Sequence, residues 1–295
     1  MNYAYYPGCS LTASAVEYDL STRLVLEHLG EQLTEIEDWT CCGASAVEPV
    51  SRLLTRALPA RNLALALAQG GKDTQVLAPC SACYLNLLRV NREAVSDVAS
   101  RAELNEALSS EALAYAGEVR VRHLLDVLLN DIGVERIGEK VVNPLEGIRI
   151  APYYGCQILR PYPVFDDAEH PVSMESLLQA MDATVHEWGL GGRCCGASLM
   201  ATNQAAALAS VRGLLEAAQG ADAIATVCPM CQMNLEAYQS RALDGSSARK
   251  LSILYLPQLL ALSFGLESKQ AGIHRNLAVS SDFLTRCKQR VSAVA

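Results

Sequence analysis

Ten of the eleven cysteines fall into two matching sets. The first is Cys9, then Cys41-Cys42-Gly43, then Cys80-Ser81-Ala82-Cys83, with gaps of 31 and 37 residues. The second is Cys156, then Cys194-Cys195-Gly196, then Cys228-Pro229-Met230-Cys231, with gaps of 37 and 32. Adjacent cysteines direct their side chains apart, and a disulfide between them would be strained. A single CysCysGly could be two small buried hydrophobes, since free cysteine is often buried. Two copies, each inside the same outer pattern, point instead to a cofactor. Thiolate-only sites suit zinc or an iron–sulfur cluster. Zinc takes four ligands, and a cubane cluster normally takes four. Five thiols in a set suggest an unusual cluster in which some iron carries more than one thiolate.

The flanks repeat as well. Tyr6-Pro7-Gly8-Cys9 answers Tyr153-Tyr154-Gly155-Cys156, and Cys83-Tyr84-Leu85-Asn86 answers Cys231-Gln232-Met233-Asn234. Trp39 and Trp188 each stand shortly before a CysCysGly. Gly8, Gly43, Gly155 and Gly196 let backbone N–H groups come close to sulfur. Cys287 has no counterpart in the first half and reads as a spare thiol in a helix over 282–291.

Positioning ten thiols requires elements that end where the cysteines begin. Stretches at 2–6, 32–36 and 74–78 read as strands, and each runs into a cysteine group. The same holds for 148–152, 184–188 and 223–227. Between them lie helical stretches, at 17–29, 53–69, from 83 to 90 and at 103–115 in the first half, and at 176–181 and 203–219 in the second. In the first of these helices Val16, Leu20, Leu24 and Leu29 fall on roughly one face. A strand and helix close each half, at 119–130 and 252–264. The pattern is α/β with mostly parallel strands, duplicated, with a first domain over 1–145 and a second over 146–295. Ligands in such folds bind at the carboxyl ends of the strands, so three loops per half can surround one cluster. Residues 160–171 carry three prolines and read as an exposed irregular loop.

At 295 residues, two domains are expected. Apolar content of 51% with 19% charge excludes a disordered chain. A net charge of −8 without a basic block argues against nucleic acid. The first residues lack the basic and apolar regions of a secretory signal. Many cysteines without one point to metal in a reducing, cytoplasmic compartment rather than to disulfides. The uncharged stretch 251–266, broken by Pro257, reads as a buried strand and core helix, with a surface-lying or partner-docking segment as the alternative. No glycine-rich phosphate motif provides for a flavin or nicotinamide in this chain.

Over nearly the whole chain these motifs resemble the cysteine-rich CCG domains found in the B subunit of heterodisulfide reductase. The resemblance implies two tandem CCG domains related by a pseudo-two-fold axis, each holding a noncubane 4Fe-4S cluster on five cysteines. The ligands would be Cys9, Cys41, Cys42, Cys80 and Cys83, then Cys156, Cys194, Cys195, Cys228 and Cys231. It implies an oxidoreductase subunit that reduces or forms a disulfide, or acts on a related sulfur substrate such as one carried on lipoate, at a cavity faced by both clusters. The implied partners are a small ferredoxin-like iron–sulfur subunit and a flavin subunit. A related CCG subunit of some succinate–quinone oxidoreductases associates peripherally with the membrane, which offers a second reading as an electron-transfer or tethering subunit. A zinc-stabilised scaffold is a third. Proton donors are weakly marked: His186, Tyr153 and Tyr154 stand near the second cysteine set, and each could equally be packed structure. His28 and His123 fall in expected helices and read as structural. Asp166, Asp167 and Glu169 read as a solvated loop.

Overall fold

The computed structural model describes residues 1–45 and 47–288. Contacts divide the chain into two compact units. One comprises Met1–Ser14 and Gly30–Leu124, and the other Ala15–Leu29 and the chain from Leu125 onward.

The first unit is built on four parallel strands: β1 (Asn2–Tyr5), β2 (Gln32–Glu35), β3 (Gln75–Ala78) and β4 (Arg120–His123), in the order β2-β1-β3-β4. After their first residues, Asn2 and Gln75, the inner strands are apolar, as parallel sheets covered on both faces require. Tyr3, Tyr5, Val76 and Leu77 are fully buried. The helix Arg52–Gly70 is rich in Ala and Leu, the strongest helix formers. Ser51 caps it by accepting from the Leu54 N–H at 3.2 Å. The helix Ser81–Ser96 starts at the residue after Cys80. The helix expected over 103–115 instead spans Val98–Leu108. Asp97 caps its start by accepting from Ser100 N–H at 3.0 Å, and Ala112 turns the chain left-handed at φ 56° soon after its end. His123 ends β4, paired with Ala78, rather than opening a helix.

The second unit repeats the plan. Its strands are β5 (Arg149–Tyr153), β6 (Thr184–Val185), β7 (Ala223–Thr226) and β8 (Ser252–Tyr255), all parallel, in the order β6-β5-β7-β8. β6 stops after two residues where a five-residue strand was expected. Opposite it, Pro152 has no N–H to donate, and its carbonyl is taken by the Trp188 indole N–H at 2.9 Å. Asn203 caps the helix Gln204–Ala217, and the helix Pro229–Ala237 starts directly after Cys228. The stretch 251–266 is β8 followed by the wholly buried helix Leu256–Ser263. Among the described residues no helix is long and apolar enough to cross a membrane. The helix in which Cys287 lies runs Ser281–Lys288, and the rest of the expected 282–291 lies outside the described residues.

The helix Val16–His28 belongs to this second unit. Tyr18 stacks on Tyr255 with ring centroids 4.1 Å apart and planes 2° apart, and His28 stacks on Phe264. Its buried face is therefore Tyr18, Thr22, Val25 and Leu26, while Leu20 is exposed. An aliphatic count missed this, because an aromatic stack and small hydroxyl residues make the contact. Residues 160–171 form no helix or strand. Asp166 and Asp167 knit them together by accepting backbone N–H groups, from Val172 and Ser173 and from Glu169 and His170.

Candidate metal centres

Each cysteine group follows a strand, so the local folding that makes the sheet also delivers the thiols. The adjacent thiols of Cys41 and Cys42 stay within hydrogen-bonding reach of each other, and each also pairs with a cysteine from another loop. Cys41 Sγ lies 3.5 Å from Cys9 Sγ, and Cys42 Sγ lies 3.5 Å from Cys83 Sγ. The second unit pairs the same positions, Cys194 with Cys156 and Cys195 with Cys231. All are free thiols. In each set the second cysteine of the pair and both of the CxxC are buried. Cys9 and Cys194 are exposed, and Cys41 and Cys156 are partly so. Each set thus has a closed side and an edge that meets solvent. In the second set the closed side is apolar: Cys195, Cys228 and Cys231 pack in one core with Val211, Leu214 and Leu235.

Among the described residues, no three or more His, Cys, Asp or Glu side chains are arranged to hold a metal ion as they stand. The donor chemistry nonetheless fits an iron–sulfur group. Two thiolates on one tetrahedral metal, with metal–sulfur bonds of about 2.3 Å, stand about 3.8 Å apart. The 3.5 Å pairs need to open only slightly. Hydrogen bonds between thiols set their acidities. Hydrogen bonds with Cys41 and Cys83 pull Cys42 down to about 4. Cys194 receives one from Cys156 and is pulled down to about 6, helped by the Gly196 N–H and the Arg160 guanidinium. Cys41, Cys83, Cys156 and Cys231 are pushed up by hydrogen bonds with neighbouring thiols and by burial. The thiolate is the form that binds metal.

Residues other than cysteine repeat the same construction twice. The Tyr6 phenol donates to the Thr40 carbonyl at 2.7 Å, and the Tyr153 phenol to the Arg193 carbonyl at 2.8 Å. Each acceptor immediately precedes a CysCysGly. Burial, then the neighbouring thiols, pushes both phenols up, so they stay protonated donors. Asn86 donates to the Cys42 carbonyl at 3.1 Å, and Asn234 to the Cys195 carbonyl at 2.6 Å. Gly43 N–H points to Cys41 Sγ at 3.4 Å and Gly196 N–H to Cys194 Sγ at 3.3 Å. Gly8 and Gly155 adopt φ near +68° and +69°, and a Cβ there would meet Cys83 Sγ at 2.8 Å and Cys231 Sγ at 2.9 Å. Only glycine leaves that space to the sulfur.

Two features differ. In the first unit Asn62 adds a clamp, accepting from Thr40 N–H at 2.8 Å and donating to the Thr40 carbonyl at 2.9 Å. In the second unit Arg160 takes a bracing role. Its backbone N–H donates to the Cys156 carbonyl at 3.0 Å, and its guanidinium donates to the carbonyls of Gly192 and Ala168.

Of the three residues marked as proton donors, Tyr153 lies beside the second thiol set. Tyr154 bonds to Glu175 and accepts from Met174 N–H at 2.7 Å. The His186 ring faces the Ala217 carbonyl at 3.2 Å, at the end of a helix. Tyr6, Asn86, Asn234, Asn62 and Arg160 were not singled out from the sequence. The matched positions of Tyr6 with Tyr153 and of Asn86 with Asn234 were the available signal.

A family profile described as the cysteine-rich domain, CCG, matches residues 3–88 and 150–236. The chain belongs to this CCG cysteine-rich domain family. Among proteins similar to it is the 8-methylmenaquinol:fumarate reductase membrane anchor subunit of Wolinella succinogenes, 34% identical over 93% of this chain and 96% of that one. A protein of Archaeoglobus profundus, described as like the B subunit of heterodisulfide reductase, is 28% identical over 92% and 94%. The B subunit of the ferredoxin/F(420)H(2)-dependent CoB-CoM heterodisulfide reductase of Methanosarcina acetivorans is 26% identical over 95% of each. A crystal structure of a hypothetical protein from Helicobacter pylori shares the fold, with a TM-score of 0.74 at 17% identity. The match covers 95% of this chain, which spans about half, 52%, of that structure.

Proposed function

We propose that this chain is the iron–sulfur subunit of a multi-subunit oxidoreductase acting on a sulfur substrate, in the manner of its heterodisulfide reductase relatives. The observation that carries the reading is the twofold repetition of one thiol arrangement, in which three cysteines are buried and two face solvent. Each set would hold a noncubane 4Fe-4S cluster on its five cysteines. When bound, such a cluster supplies one-electron redox chemistry and an iron to which sulfur can attach. A disulfide has two sulfurs and takes two electrons, which two equivalent centres match. The protein's own share is positional. Tyr6 and Tyr153 hold the chain before each CysCysGly, Asn86 and Asn234 hold the chain within it, and the apolar core keeps water from the closed side. Electrons would come from a ferredoxin-like partner. The phenol protons are committed to carbonyls, so the proton for a product thiolate comes from solvent at the open edge.

A second reading, a CCG subunit of a quinone-linked dicarboxylate oxidoreductase, is favoured by the similarity to the Wolinella succinogenes anchor subunit. Its local support in the sequence, the stretch 251–266, is interior strand and helix. Anaerobic iron and sulfide analysis with electron paramagnetic resonance, before and after adding a thiol disulfide or a short-chain menaquinone, tests both. About eight irons per chain are expected, with a spectrum that changes on adding the disulfide. A change with the quinone alone favours the second reading, and stoichiometric zinc without acid-labile sulfide overturns both.

A further inference from the structure

Besides the Asn62 clamp, the two thiol sets differ in charge. Four residues after the first cysteine of a set stands Ala13 in one unit and Arg160 in the other. Immediately before CysCysGly stands Thr40 in one and Arg193 in the other. Both arginines flank the second set. The Arg160 guanidinium is anchored on the carbonyl of Gly192, two residues from Cys194, and on that of Ala168 at 2.7 Å. These bonds hold its charge beside the site without offering its donors to a ligand. Its one carboxylate partner among the described residues, Glu169, lies 3.4 Å away with a side chain 70% exposed, where water screens it. Arg193 is exposed, and its side chain makes no hydrogen bond or ion pair among the described residues. A guanidinium stays charged at every working pH.

A cluster on thiolates is anionic, and each electron adds negative charge. A fixed cation close by stabilises the reduced form more than the oxidised one. We infer that Arg160 and Arg193 give the second thiol set the more positive reduction potential of the two, so that an electron from a one-electron iron–sulfur donor settles there first. This rests on the iron–sulfur reading above and goes beyond it, because it makes two similar centres unequal and orders their filling.

The test is an anaerobic redox titration of the full chain, followed by electron paramagnetic resonance, on wild type, Arg160→Gln, Arg160→Lys and Arg193→Gln. Cys42→Ser and Cys195→Ser assign each signal to its set. The signal of higher potential should vanish in Cys195→Ser and persist in Cys42→Ser. Its midpoint should fall toward that of the other signal in Arg160→Gln, recover in Arg160→Lys, and fall less in Arg193→Gln. The other midpoint should stay where it is. The Arg193 side chain makes no hydrogen bond among the described residues, so its variant reads charge alone even if Arg160→Gln assembles poorly. A higher-potential signal that belongs to the first set, or midpoints unmoved in both glutamine variants, overturns the inference and leaves the iron–sulfur reading standing. A wild type without iron and acid-labile sulfide overturns both.

Discussion

The side-chain amide of Asn234 donates to the Cys195 carbonyl at 2.6 Å. Asn234 is on the helix that opens after Cys228, so this bond ties the CxxC arm to the CysCysGly arm of one set. Asn86 does the same for Cys42. Removing either amide leaves a buried carbonyl unpaired, at a cost of about 1–3 kcal/mol, and about 1.4 kcal/mol is tenfold in a rate. Asn234→Ala should speed iron loss to a chelator about tenfold from the second set only, and Asn86→Ala from the first only. Equal loss from both sets in either variant would show general destabilisation instead.

Cys287 provides a control. It is buried, its thiol is pushed up to about 12 by that burial, and its carbonyl accepts from Asn143 at 2.7 Å. Cys287→Ser should leave the iron and sulfide content unchanged. Loss of iron would mean that the ligand set includes it.

Glu236 should make stability depend on pH. Burial pushes its carboxyl up from 4.5 to about 7, against N–H groups of Ala278 and Leu277 that pull it down. The folded state therefore holds this proton more tightly than the unfolded chain does. That contribution is complete below the unfolded value and is lost as pH rises through about 7. At pH 8 wild type gives up at most about 3 kcal/mol. Glu236→Gln should raise Tm at pH 8 relative to wild type and narrow the difference between pH 5 and pH 8. Parallel pH profiles for the two proteins would disprove it.

The reading of two centres working on one disulfide predicts non-additive losses, since groups that act as a unit cannot be removed twice. Cys42→Ser and Cys195→Ser should each abolish nearly all disulfide turnover in the intact complex, with the double variant little worse. Retention of about half the activity in one variant would mean independent centres. If only one variant matters, the other centre is a relay.

The α/β class, the parallel strands and the duplication were legible in the sequence because their signals are local. Apolar runs such as 74–78 end at a cysteine, and helices such as Arg52–Gly70 stop at a glycine pair. The repeated order of the ten cysteines was equally legible, since it is written in the chain itself. The pairing of sulfurs was not. That Cys41 turns to Cys9 while Cys42 turns to Cys83 depends on where three loops arrive at one end of a sheet. Nor was the placement of the helix Val16–His28, which lies between β1 and β2 in sequence but in the second unit by contact, because stacking of Tyr18 on Tyr255 joins residues more than 200 positions apart. Hydrogen bonds from Tyr6, Tyr153, Asn86 and Asn234 to loop carbonyls leave no periodicity in the sequence. A backbone carbonyl is the same at every residue, and only tertiary structure decides which one a side chain reaches.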